Sequence, residues 1–208
     1  MENLAERYFN EGVYFAKSGR HAEAVASFDK AIDSNPNDAG AWNARGVALS
    51  NLGQHEVALS SYEKAVTINP YYTGAWNNRG NALSILGRYD ETIASFDEAL
   101  AIDPDFANAW NNRGVVLNKL GRHAEAVASF DKAIAIEPND TVAWYNKSLA
   151  LVHPGEETEA LRALDKVLTL NPQDNEAQSR RALIIRKMAQ DSETGRTDSP
   201  SAQSRLRV

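Results

Sequence analysis

Four tryptophans, Trp42, Trp76, Trp110 and Trp144, stand 34 residues apart, and five prolines (Pro36, Pro70, Pro104, Pro138, Pro172) and five glycines (Gly19, Gly53, Gly87, Gly121, Gly155) keep the same interval. A recurrence this regular settles the type of architecture before any single residue is weighed. Each period is one supersecondary unit that cannot bury its apolar face alone, so the units must stack on their neighbours.

Within a period the apolar positions recur at three- and four-residue steps, as in Trp76, Gly80 and Leu83 and again in Ile93, Phe96 and Leu100. That is helical periodicity, and each period therefore holds two helices. Gly87 follows the first, where a left-handed C-cap is wanted, and Pro104 follows the second, which a proline helps to end. Asp38, Thr73, Thr141 and Asp174 stand where the next helix needs an N-cap acceptor. Small residues at Gly80 and Ala99 are read as letting the two helix backbones approach, with tryptophan and phenylalanine filling the space that remains.

After a lead of residues 1–4, the units fall at 5–38, 39–72, 73–106, 107–140 and 141–174. The second shows the pattern in full with Trp42, Gly46, Leu49, Gly53, Ala58, Tyr62, Ala65 and Pro70; the slip in the first four is Thr92, where the others carry alanine. The pattern resembles the tetratricopeptide repeat over residues 5–174. That resemblance implies an all-α fold, a right-handed superhelical solenoid of antiparallel helix pairs with a concave inner face, about five units long. The fifth unit departs from the pattern, with Ser148 for glycine, Leu164 for the aromatic and Val167 for alanine, and its Pro154 is expected to stop the first helix near His153. Residues 175–190 read as a C-terminal capping helix with Ala182, Ile185 and Ala189 packed and Arg180, Arg181, Arg186 and Lys187 outside. Leu183, Ile184 and Met188 widen its apolar face. Residues 191–208 read as a disordered tail.

Where the units agree, no private site is expected: Gly19 to Ile32 and Gly121 to Ile134 are identical. The first helices diverge, and in the resembled family they line the concave groove through their second, fifth, sixth, ninth, twelfth and thirteenth residues. Carried over here, the groove is a ladder of amides: Asn43, Asn77, Asn78, Asn111, Asn112 and Asn146, with Asn81 and Asn118 adding reach and Lys17, Lys119 and His153 adding positive charge. An amide donates and accepts, which suits the main chain of an extended peptide; amides that bond to one another are the alternative. The lysine and asparagine set that such arrays use to grip a chaperone's C-terminal carboxylate is missing.

Three histidines at one offset, His21, His55 and His123, with Tyr89 in the third unit, read as packing at the helix turn rather than as metal ligands. Arg45, Arg79, Arg113 and Lys147 read as partners of the recurring acids Asp29, Glu63, Asp97 and Asp131. There is no phosphate loop and no nucleophile with its base, so no catalytic, cofactor or metal residues are expected. Lys plus Arg is 22 against 28 Asp plus Glu, a net charge of −6 that disfavours nucleic acid. No cysteine, no apolar run at the start and no membrane-length apolar stretch point to the cytoplasm. The expected function is a non-enzymatic adaptor holding a protein or peptide partner in the groove; the alternative is a homo-oligomer formed through the C-terminal repeat and capping helix.

Overall fold

The structure is a computed structural model that describes residues 3–151, 153 and 155–197. These form eleven helices, with no strand among the described residues: α1 (Leu4–Lys17), α2 (His21–Ser34), α3 (Ala39–Asn51), α4 (His55–Ile68), α5 (Thr73–Ile85), α6 (Tyr89–Ile102), α7 (Ala107–Lys119), α8 (His123–Ile136), α9 (Thr141–Ala150), α10 (Glu157–Leu170) and α11 (Asn175–Thr197). The fold class is an all-α helical solenoid of repeats. Contacts divide it into two compact units, Met1–Val116 and Leu117–Val208, with the division inside α7. In the first, α1 packs on α2, α3 on α4 and α5 on α6, and each pair packs on the next; in the second, α8, α9, α10 and α11 follow in the same manner. No helix among the described residues is long and apolar enough to cross a membrane.

Each tight turn within a pair is closed by glycine. Gly53 and Gly87 have φ of 75° and 76°, a left-handed conformation that side chains with a Cβ adopt at a cost. The glycine inside the first helix makes room for a ring. A Cβ at Gly46 would stand 2.5 Å from Tyr62 and one at Gly80 2.6 Å from Phe96. The rings that fill these notches are buried, Phe96 completely and Tyr62 to within 3%. The fifth unit keeps the volume by exchanging both partners, since Ser148 and Leu164 are each fully buried there. Thr92, the slip in the third unit, is also fully buried and donates its hydroxyl to the Arg88 carbonyl at 2.9 Å, so its extra polar group is satisfied.

Successive pairs are tied by two recurring contacts. Each indole Nε1 donates to the carbonyl of the proline that ends the preceding second helix: Trp42 to Pro36, Trp76 to Pro70, Trp110 to Pro104 and Trp144 to Pro138, at 2.8–3.0 Å. The bond fixes each indole at the same place in its period; its acceptor is the main-chain carbonyl at the proline position. The second contact is the expected ion pair: Arg45 with Asp29 at 2.6 Å, Arg79 with Glu63 at 3.4 Å, Arg113 with Asp97 at 2.7 Å and Lys147 with Asp131 at 2.8 Å. Each arginine of this set lies within 6 Å of the tryptophan ring three residues before it.

Several local expectations change. Asp38 and Asp174 cap α3 and α11 by accepting from Ala41 and Ala177. Thr73 and Thr141 do not cap; they lie inside their helices. Asp140 caps α9 through Val142 at 2.8 Å, and α5 follows Tyr72 with no side-chain acceptor. Helix α9 ends at Ala150, short of His153, and Val152 and Pro154 lie outside the described residues. Helix α11 runs to Thr197 rather than ending at 190, because the residues up to that point include no proline and its one glycine, Gly195, costs only about 1 kcal/mol in a helix. The rest of the expected tail, 198–208, lies outside the described residues. The packed side of α11 also differs: Ala177 is buried and Ile184 joins the Leu164–Val167 cluster, whereas Ala182, Ile185 and Ala189 are exposed. Arg180 and Arg181 are half-buried, not outside.

Two measurements test this packing. Gly80→Ala should destabilise the protein by about 1–3 kcal/mol in urea unfolding through collision with Phe96, and adding Phe96→Leu to a Gly80→Ser change should recover most of the loss, as in the fifth unit. Burial pushes the Tyr62 phenol up to about 12 from 10.0, against a bond to Ser50 that draws it down. Its folded pKa is thus above its unfolded one, so its contribution is complete below pH 10 and disappears as pH rises through 12. Tyr62→Phe should flatten the alkaline fall in unfolding free energy by about 2–3 kcal/mol.

Candidate functional site

The first helices of the leading compact unit are neighbours, α1 beside α3 and α3 beside α5. Their fifth and sixth residues consequently form a row of amides, and the amides bond to one another. Asn78 Nδ2 donates to Asn43 Oδ1 at 3.0 Å, and Asn43 Nδ2 donates to the Tyr72 hydroxyl at 3.2 Å. Asn112 Nδ2 donates to Asn81 Oδ1 at 3.2 Å and to Asn77 Oδ1 at 3.4 Å. These bonds run from α5 to α3 and from α7 to α5, so the ladder fastens these helices to one another. Asn77 is only 8% exposed, which leaves it little to offer a ligand. Asn78 differs: it is half-buried, and its carbonyl oxygen and second N–H are not used by these bonds.

Aliphatic residues share this face, and the sequence reading passed over them. Val47, at the ninth position of α3, is 38% exposed and Ile85, at the thirteenth of α5, is 60% exposed. Reading those two positions in register, rather than the asparagines alone, was the available signal. Lys17 is exposed at the end of α1. Asn111 is half-buried on α7 and is not free.

In the second compact unit, Lys119 is exposed at the end of α7 and Asn146 is half-buried on α9, neither of them free. Asn118 points to the turn: its Oδ1 lies 2.7 Å from His123 Nδ1. This also explains the recurring histidine. Each opens a second helix, and its Nδ1 faces the residue five positions back: Ser50 at 3.4 Å for His55 and Asn118 for His123. His21 has Ala16 at that place, and its buried Nδ1 has no partner. Among the described residues no three His, Cys, Asp or Glu side chains gather as metal ligands. Between α9 and α11 lies a cleft of about 440 Å³ lined by Tyr145, Ser179, Arg180 and Leu183. Arg180 donates to the Ser148 carbonyl at 2.8 Å, and burial pulls its guanidinium below the ordinary arginine value.

A family model described as tetratricopeptide repeat matches residues 9–73 and 75–141, and a second such model matches residues 117–184. No curated protein matches the chain. Among solved structures, MamA is similar at 22% identity with a TM-score of 0.74, over 85% of this chain and 96% of MamA. YrrB, described as a TPR protein with an unusual peptide-binding site, is similar at 21% identity and 0.72, over 86% and 92%. TTC0263, a thermophilic TPR protein of Thermus thermophilus, is similar at 24% and 0.66, over 88% and 99%. The repeat interval, the helix pairs and the family models agree: the chain belongs to the tetratricopeptide repeat family, whose members act as protein-interaction scaffolds.

Proposed function

We propose that this chain is a non-enzymatic adaptor that holds an extended segment or a helix of a partner protein against the first-helix faces of its repeats. The observation that carries the reading is the face formed by α3 and α5, where Asn78 keeps a donor and an acceptor to spare beside the exposed Val47 and Ile85. Spare amide groups suit a peptide main chain, and exposed aliphatic side chains suit its apolar residues. YrrB provides a precedent for peptide binding on the same fold. The cysteine-free, acidic composition suits a cytoplasmic setting.

A second reading, self-association through α11, is favoured by the exposure of Leu183 at 62% and Met188 at 37%. Sedimentation giving one monomeric species at all concentrations would remove it.

The main reading is tested by affinity capture from cell extract with mass spectrometry. Asn78→Ala together with Ile85→Ser should keep the helical circular dichroism of the parent and lower recovery of its partner about tenfold, the loss expected when one amide and one apolar contact are removed. Undiminished capture by that variant would remove the groove from the account.

A further inference from the structure

Helix α11 keeps the register of a first helix. Gln178 stands where the tryptophans stand, and its Nε2 donates to the Pro172 carbonyl at 2.8 Å as the indoles do to theirs. Ala177 is fully buried, like Ala41, Ala75, Ala109 and Ala143 at the same offset. Arg181 pairs with Asp165 at 2.6 Å, as Arg45 pairs with Asp29. Two bonds and a burial at three matching offsets make α11 the first half of a sixth unit.

Among the described residues no second half follows it. Where the earlier first helices reach their left-handed glycine, α11 has Ala189 and continues unbroken to Thr197. The side that elsewhere meets a second helix is consequently open. Ile185 is 43% exposed at the offset where Leu49, Leu83 and Leu117 are no more than 3% exposed, and Ala182 is exposed at the offset of the buried Gly80. Arg181 shows the same gap. The cation at this place normally has a second partner on its own second helix: Arg45 donates to Ser61 at 2.7 Å, Arg79 to Ser95 at 2.6 Å, and Lys147 pairs with Glu159 at 2.6 Å. Among the described residues Arg181 pairs with Asp165 alone, and its side chain is 42% exposed against 21%, 17% and 9% for those three.

We propose that the open side of α11 is a docking site for an amphipathic helix of a partner protein, which completes the sixth unit from outside. Continuity with the internal helix-on-helix interfaces sets the chemistry of that helix. Opposite Ala182 it carries an aliphatic residue, because a Cβ at this offset collides with an aromatic ring, and the one earlier unit that has a Cβ there, at Ser148, has a buried Leu164 at the offset of the ring. Toward Arg181 it carries serine or a carboxylate. A second copy of α11 is the poorer occupant, since an antiparallel pair centred on the exposed Ala182–Ile185 stretch would set Arg181 of one copy against Arg186 of the other, like charge against like. The groove reading is not required: Asn78→Ala leaves this site intact.

The test uses the full chain and two fluorescent, lactam-stapled helical peptides. One has the α10 sequence, Glu157 to Leu170, with Leu164 at the critical place; the other has the α8 sequence, His123 to Ile136, with Phe130 there. The α10 peptide is expected to bind by fluorescence anisotropy and the α8 peptide to bind about tenfold more weakly. Ile185→Glu should weaken α10-peptide binding at least about tenfold with unchanged circular dichroism, and Ala182→Gly should bring the α8 peptide to within a few-fold of the other. Binding of neither peptide, equal binding to the Ile185→Glu variant, or a dimer that Ile185→Glu dissociates would each overturn the proposal, the last by naming a second copy as the occupant.

Discussion

An aromatic ring seated against a residue with no Cβ is the contact on which the pairs α1–α2, α3–α4 and α5–α6 depend. The fit between Phe96 and Gly80 is close enough that one added carbon would overlap the ring. Protein interiors are packed to crystal-like density, so such a notch specifies which two helices pair and at what height. The alanines around it, Ala75, Ala82 and Ala99 among them, are buried to 1% exposure or less and keep neighbouring helices close. Ion pairs and indole bonds act around this contact. Most of their acids are about half exposed, so each pair adds little energy by itself. What they supply is orientation: the cation always belongs to the later pair and the acid to the earlier one.

The same economy of residues governs the candidate binding face. Asparagines at the fifth and sixth positions tie α3, α5 and α7 together, and what those ties leave unused is what the proposed partner would meet. Asn77 lies on the structural side of that division and Asn78 on the outward side, although they are adjacent in the chain. Aliphatic residues at the ninth and thirteenth positions complete a surface of mixed character. In the proposed reading such a face would take a main chain through amides and side chains through apolar contact, without one dominant charge.

Much of this was legible from periodicity. The interval gave helix number, turn positions and the Arg–Asp partners, because each of those follows from offsets that repeat. Offsets do not reveal what a side chain does across an interface. Tryptophan and proline recur together whether they pack or bond, and only coordinates show the indole donating to the carbonyl. Gly80 reads equally as a site of backbone approach or of ring insertion. The amides read equally as ligands or as ties. Helix α11 was misread for a related reason: a lone terminal helix was oriented by its own apolar residues, whereas its packed side is chosen by the repeat register, which buries Ala177 and engages Arg181 while Ala182 and Ile185 face outward. Registering its residues on the 34-residue frame would have shown this.

The joint between one pair and the next has a bearing on how such a chain grows and shrinks over evolutionary time. Donor and acceptor, cation and acid are all supplied within a single period, so duplicating or deleting one whole period recreates every joint without a compensating change elsewhere. The identical stretches Gly19 to Ile32 and Gly121 to Ile134 are what copying of that kind leaves behind. Length in this chain is therefore a variable that inheritance can adjust in steps, while the shape of each step stays the same.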